Sequence, residues 1–177
     1  ADCARPAVQT FTGAGLHASF SREDSDAVRA VSRRHGCTPF VTLLAAFKAL
    51  LYRYTGIADV LVGSPVANRD RQDERGLVGM FMNTIVLRSD LSGDPTFADL
   101  LHRVRETTLG ALAHQELPLG RLIDALQPTR DLSRSPLFQV MFALQNAPLG
   151  ELTLPGLEVE RLDVHTDSSK FDLTVIA

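Results

Sequence analysis

The fold depends on residues 38–56, which read TPFVTLLAAFKALLYRYTG. Thr38 can cap a helix, Pro39 suits the first helical position because its missing N–H has no partner there, and Gly56 can end the helix. The side chains between them are apolar nearly all round, which is typical of a helix buried inside a larger body. We therefore predict a buried helix over residues 39–54.

Before this helix, the sequence predicts a strand and another helix. Residues 15–20 alternate weakly between apolar and polar side chains, as a short strand does. Ser21 and Asp24 have the spacing of a capping box, so a helix begins there and runs to His35, where Gly36 ends it.

After the buried helix, strands and helices alternate. Residues 60–62 form a continuously apolar strand, which indicates burial on both faces, and a second strand covers about residues 82–88. Thr96 and Asp99 form a second capping box, which begins a long amphipathic helix. The further predicted elements are a solvated loop over 68–75, a break at Leu117-Pro118 followed by a short helix to Leu126, a loop over 128–136, a turn over 146–150 and strands over 137–144, 157–162 and 171–176.

The predicted order of elements is β-α-α-β-β-α-α-β-β-β. Strands separated by helices predict an α/β fold in which a mixed β-sheet packs against helices. The chain opens abruptly and stops within a strand signal at Ala177, so we expect it to be a piece of a larger protein.

The composition argues against several classes of function. The 177 residues suffice for one domain with a core, and 45% of them are apolar, as is ordinary for a soluble protein. A net charge of -3, from 18 Lys+Arg and 21 Asp+Glu, provides no basic excess for nucleic acid. Cys3 and Cys37 form neither a disulfide framework nor a metal motif, and no segment has the pattern of a signal peptide or a membrane span. We predict a cytoplasmic protein that binds neither nucleic acid nor membrane.

Residue patterns alone predict no active site. None of the five histidines lies in a paired, glycine-flanked loop that would expose a catalytic base. Ser64 follows Gly63 but lacks the second glycine of a nucleophile elbow, and the stretch from Gly76 to Gly79 lacks the spacing and lysine of a phosphate loop. We therefore predict no catalytic residue and no metal ligand in this chain.

Five segments of the chain, in order, read GSPVANR (63–69), VGMFMNT (78–84), HQELPL (114–119), RDLSRSPL (130–137) and KFDLT (170–174). Together they resemble motifs of one family, the condensation domains of nonribosomal peptide synthetases. The chain departs from the family pattern at Met82, Glu116, Leu119, Gly120 and Ser135.

The resemblance implies a lobe with the fold of chloramphenicol acetyltransferase, one of two in such a domain. A tunnel between the lobes receives donor and acceptor thioesters on the phosphopantetheine arms of carrier proteins, and an amide forms. The family's paired-histidine signature lies in the N-terminal lobe and is absent here, so residues 1–177 correspond to a C-terminal lobe, inactive alone. The implied partners are the N-terminal lobe, donor and acceptor carrier proteins and an adjacent adenylation domain, and no cofactor is bound directly.

The resemblance also suggests which residues line the tunnel. Asn83 would face the catalytic histidine of the missing lobe, or would instead be a strand-end residue that satisfies a turn. Ser64 would face the tunnel, or would form a turn before Pro65. The full predicted set is Ser64, Gly79, Phe81, Asn83 and Thr84.

Two other motifs receive structural predictions. We interpret His114 and Gln115 as a helix terminus. We interpret the loop with Arg130, Asp131, Ser133 and Arg134 as structural, with its conformation fixed by pairs between its own charged side chains. Two alternatives to amide formation stay open, a non-catalytic recruitment or scaffold module of the same fold, and an ester-forming acyltransferase or epimerase of the same superfamily.

Overall fold

The computed structural model describes residues 4–69, 77–145, 154–160, 162 and 166–177. In chain order the elements are α1 (Arg22–Arg34), α2 (Pro39–Thr55), β1 (Asp59–Val66), β2 (Asn83–Asp90), α3 (Phe97–Leu112), α4 (Leu119–Leu126), β3 (Val140–Ala143) and β4 (Leu173–Ile176). The four strands of this described part form one mixed sheet of order β2-β1-β3-β4, in which β1 and β2 are antiparallel and the other neighbours are parallel. The predicted α/β class with a mixed sheet is therefore confirmed.

Helix α2 has the ends that the sequence predicts. The Thr38 hydroxyl accepts a hydrogen bond from the Val41 N–H, and Gly56 takes the left-handed conformation at φ +69° that suits glycine. Leu44 has no exposed surface, but Leu50 and Tyr54 lie open on the opposite side of the helix. The expectation of burial all round was therefore wrong, because the helix packs against its neighbours along one side only.

Both predicted capping boxes are present. In α1 the Ser21 hydroxyl accepts from the Asp24 N–H while the Asp24 carboxylate accepts from the Ser21 N–H. Thr96 and Asp99 form the same reciprocal pair at the start of α3. These pairs satisfy N–H groups that have no partner within the helix, and they fix where each helix begins.

The helices cover one face of the sheet. Val62 of β1 lies opposite Leu87 of β2, and both are fully buried together with side chains of α2 and α3. Because successive strand residues point to opposite faces, Gly63 faces the other side. There the ring of Phe138 occupies the space that a side chain at residue 63 would fill, since an added Cβ would lie 2.2 Å from Phe138 Cε2.

Two predicted strands do not form. Residues 15–20 belong to no strand, and Leu16 is 95% exposed, because none of the described strands lies beside them to complete a ladder. Within the stretch predicted over 157–162, Leu157 makes only an isolated bridge to Leu154 and the described residues after it are irregular. The part of the chain outside the described residues includes Arg161, His165, the turn predicted over 146–150 and residues 70–75 of the predicted loop.

The structure contains no helix, among the residues it describes, with the length and apolar character needed to cross a bilayer.

Candidate functional site

The β1–β2 pair divides the predicted tunnel residues between two faces of the sheet. Ser64 lies opposite Ile85 and is only 2% exposed, so it points toward the helices. Asn83 begins β2 on that same side, two residues before Ile85. Thr84 lies opposite Pro65 and points to the other face, where both are half-buried. Ser64 and Thr84 therefore cannot line the same wall of a tunnel.

The side-chain amide of Asn83 is engaged with backbone groups. Its Nδ2 donates to the carbonyls of Gln115 and Leu117, both at 2.7 Å. Its Oδ1 accepts from the N–H of Leu119 at 3.3 Å. Both amide hydrogens are thus used, which supports the interpretation of Asn83 as a residue that satisfies a turn.

Residues 77–81 are held by Arg69, which the sequence analysis did not single out. The two terminal nitrogens of its guanidinium donate to the carbonyls of Leu77 and Gly79, at 2.8 and 2.9 Å. The same group lies 4.2 Å from the centre of the Phe81 ring, a cation–π distance. At Gly79 an added Cβ would lie 3.3 Å from that ring, so the glycine leaves room for it. The sequence places Arg69 and Gly79 10 positions apart, so no local pattern indicates these contacts.

An exposed apolar surface surrounds this segment. Val78, Met80 and Met82 project into solvent, and Val78 is as exposed as a side chain can be. Contiguous apolar surface of this kind marks an interaction site more often than a free face.

His114 and Gln115 lie in the turn that follows α3, beyond its C-cap residue Ala113. The N–H of His114 donates to the Ala111 carbonyl, and the N–H of Leu117 donates to the His114 carbonyl. The imidazole of His114 is exposed, whereas the Gln115 carbonyl receives the hydrogen bond from Asn83. The motif therefore shapes the turn between α3 and α4.

The loop that begins at Arg130 is tied down by Asp131. The Asp131 carboxylate accepts from the N–H and hydroxyl of Ser133 at 2.8 and 2.6 Å and pairs with Arg134 at 2.7 Å. The Ser133 hydroxyl, and next its N–H, hold the pKa of Asp131 below its usual value. Arg130 is exposed. This geometry agrees with the structural interpretation of the loop.

Arg5 extends that network to both ends of the described chain. One guanidinium nitrogen donates to the Ser133 carbonyl at 3.2 Å and to Asp172 at 2.9 Å, and a second nitrogen forms the ion pair with Asp172. The hydrogen bond from Arg5 lowers the pKa of Asp172. The sequence analysis missed this pair because the two residues lie 167 positions apart.

Lys48 is a buried cation in the middle of α2. It has no exposed surface, and its Nζ donates to the Leu87 carbonyl at 2.7 Å and to the Ser89 hydroxyl at 2.8 Å. Burial lowers the pKa of Lys48 to about 7, and the carboxylate of Asp59 only partly opposes that shift.

An open cavity of about 490 Å³ lies beside the network of Arg5. The residues that line the cavity are Phe11, Ser135, Ser168, Ser169, Lys170 and Phe171.

In the described part of the chain, His, Cys, Asp and Glu side chains form no group of three that could hold a metal ion.

Comparisons with known proteins agree on one family. A family model described as a condensation domain matches residues 1–177. A linear gramicidin synthase chain of Brevibacillus parabrevis is 51% identical over 176 residues, which cover 98% of this chain and 4% of that protein. This chain therefore spans a small fraction of that relative's length.

Solved structures show the same fold. The crystal structure of holo-AB3403, a four-domain nonribosomal peptide synthetase bound to AMP and glycine, matches 97% of this chain and 14% of its own chain. The TM-score is 0.88 at 26% identity. The X-domain from teicoplanin biosynthesis matches 98% of this chain and 39% of its own, with a TM-score of 0.89 at 24% identity, a likeness of fold.

Proposed function

Because this chain belongs to the condensation-domain family, we propose that it is one lobe of a domain that forms amide bonds in nonribosomal peptide synthesis. The observation that carries the proposal is the match of the whole chain to the family together with its identity to a peptide synthase. That identity favours amide formation over an ester-forming, epimerising or purely recruiting role.

In the proposed reaction, an acceptor amine attacks the carbonyl carbon of a donor thioester. A C–N bond forms, the C–S bond breaks, and the proton lost by the amine passes to the departing thiolate of the donor's phosphopantetheine arm. Both substrates arrive on carrier proteins, and an adenylation domain loads them. These partners follow from the family and are proposed for this chain on that ground.

We assign residues 1–177 to the C-terminal lobe, and the paired histidines of the family to a second lobe. The five histidines of this chain are all separated from one another in sequence, so none forms such a pair. We propose that Gly79, Phe81 and Thr84 lie along the tunnel, with Ser64 and Asn83 behind them on the helix side of the sheet. The hydrogen bonds of Asn83 and the burial of Ser64 support this division.

The test compares this chain alone with the same chain joined to a matching histidine-bearing lobe. Each sample receives carrier proteins loaded with a donor and an acceptor, and the condensed product is measured by mass spectrometry. We expect product only from the two-lobe protein. Product from the chain alone, above a control without protein, would contradict the assignment, and an inactive two-lobe protein would contradict amide formation.

A further inference from the structure

Two of the family-like segments meet at one side chain. Asn83, at the first residue of β2, forms three hydrogen bonds to the turn that joins α3 to α4. The segment VGMFMNT thereby contacts the segment HQELPL through a side chain of the first and the backbone of the second.

The turn contains three backbone groups whose hydrogen-bond partner is the side chain of Asn83. Two carbonyls, of Gln115 and Leu117, each need a donor, and one N–H, of Leu119, needs an acceptor. A primary amide supplies two donors and an acceptor in one plane. An aspartate at this position would turn a negative oxygen toward two carbonyl oxygens, and alanine would leave all three groups without this partner.

Helix α4 receives its N-terminal side-chain hydrogen bond from another element of the fold. Its N-cap residue, Pro118, makes no side-chain hydrogen bond to the helix, whereas α1, α2 and α3 each have a capping hydroxyl. None of the eight residues of α4 is fully buried. The Oδ1 of Asn83 acts as a cap supplied from another element, because it accepts from the first N–H of the helix.

The same residue borders the proposed tunnel. Thr84 follows Asn83 and points to the opposite face of the sheet, so the fixed position of Asn83 also sets where Thr84 lies. On the other side, Met82 and Met80 begin the exposed apolar surface.

We propose that Asn83 is a positioning residue for condensation, which locks the α3–α4 turn and α4 to the start of β2 and thereby fixes the tunnel wall. This role rests on the proposed function, since the reaction is what the wall serves. Asn83 acts through the turn and through Thr84 and does not touch the reacting atoms.

The first arm of the test measures hydrogen exchange in the two-lobe protein. In Asn83→Ala, we expect the amides of residues 119–123 to exchange at least about tenfold faster, as loss of about 1.4 kcal/mol of local stability would allow, while α1 and α2 keep their protection. The matched control is Thr96→Ala, which removes a cap at the far end of α3. If the amides of α4 kept their protection in Asn83→Ala, the claim that Asn83 holds α4 in place would be contradicted.

The second arm measures condensation. We expect Asn83→Ala to lower kcat by about 10–100-fold, because small misplacements of tunnel groups cost that much. KM for the loaded carrier proteins should change little, because the substitution removes no side chain that we propose to contact a carrier protein. Thr96→Ala should keep kcat within about twofold, although it loses a cap of similar strength. An equal loss of kcat in both variants would make Asn83 merely structural, and a normal kcat with a loosened α4 would overturn positioning.

Asn83→Asp distinguishes the hydrogen-bond donors from the size of the side chain. At neutral pH its carboxylate faces two carbonyls, so we expect a loss of kcat at least as large as in Asn83→Ala. Protonation of the carboxyl as pH falls restores one O–H donor. The ratio of its kcat to that of Asn83→Ala should therefore rise toward acid pH, and a flat ratio would contradict the donor role. An inactive wild-type domain would count against the proposed function. The hydrogen-exchange measurement would still show whether Asn83 holds the α3–α4 turn and α4 in place.

Discussion

Lys48 and Ser89 are joined inside the core by a hydrogen bond of 2.8 Å from the lysine Nζ to the serine hydroxyl. A second bond, of 2.7 Å, reaches the carbonyl of Leu87. The pair links the middle of α2 to β2, the strand at the edge of the sheet. Neither acceptor is charged, so the site holds a neutral amine more readily than an ammonium.

The stability of the chain should rise with pH because of Lys48. Its pKa is about 7 when folded, against 10.5 as the usual value, so between these two values the unfolded chain holds the extra proton. The free energy of unfolding should therefore increase from about pH 7 to about pH 10.5, by a few kcal/mol in total at about 1.4 kcal/mol for each pKa unit. Denaturant unfolding at several pH values measures it.

Lys170 provides a matched control for this experiment, since the sequence contains only these two lysines and Lys170 is exposed. The rise should be absent from Lys48→Met and retained in Lys170→Met. Tyrosines and cysteines also ionise in this pH range. Their contribution to the free energy of unfolding is common to all the variants and cancels in the difference between them. An identical pH profile in Lys48→Met and the wild type would show that the amine titrates normally.

Leu44→Ala should be strongly destabilising. Leu44 has no exposed surface and packs in the core against the sheet, so its truncation should cost about 2–5 kcal/mol. Leu50→Ala, on the open side of the same helix with 52% of its surface exposed, should cost less than about 1 kcal/mol. Chemical denaturation gives both values, and similar losses in the two variants would contradict the observed orientation of α2.

Two glycine-to-alanine substitutions should change the free energy of unfolding in opposite directions. Gly63→Ala places a Cβ 2.2 Å from the buried ring of Phe138, so we expect a loss of about 1–3 kcal/mol as the ring is displaced. Gly110→Ala adds a Cβ to α3 where no atom lies within 4 Å, so we expect a gain of about 0.5–1 kcal/mol from helix propensity. Thermal unfolding of both variants checks the pair, and a tolerated Gly63→Ala would mean that β1 and Phe138 are not in contact.

Arg5→Ala should loosen the first segment without unfolding the domain. The pair with Asp172 is partly exposed and should contribute no more than about 1 kcal/mol. Arg5 also donates to the Ser133 carbonyl, beside the Leu132 carbonyl that accepts from the Gln9 N–H. We expect faster hydrogen exchange at Gln9 and unchanged exchange in α2. Arg29→Ala, which breaks an exposed pair within α1, is the control and should leave Gln9 unaffected.

The sequence predicted the helices well because their signals are local. The capping pairs at Ser21 and Thr96 lie within one turn, so their effect does not depend on the rest of the fold. A strand needs a neighbour that the sequence does not specify, which is why residues 15–20 were wrongly assigned.

The candidate site shows the same division between local and distant information. Alternation along β2 predicts that Asn83 and Thr84 point to opposite faces, but not which face the helices cover. The partners of Asn83 lie 32 to 36 positions away, and those of Lys48 lie 39 and 41 positions away. Family resemblance located the segments, and the three-dimensional contacts separate the residues that we propose as tunnel lining from those that we propose as supports.

The strand order has a consequence for how the chain is built during translation. β1 and β2 are neighbours in sequence and in space, and with α2 and α3 they hold most of the buried core within the first 112 residues. β3 and β4 come from the last part of the chain and extend the sheet from the far side of β1. As contacts between nearby residues form faster than distant ones, the emerging chain can settle β1, β2 and their helices while β3 is still inside the ribosome. At that stage one edge of β1 has no neighbouring strand, and β3 pairs with it after it has left the ribosome.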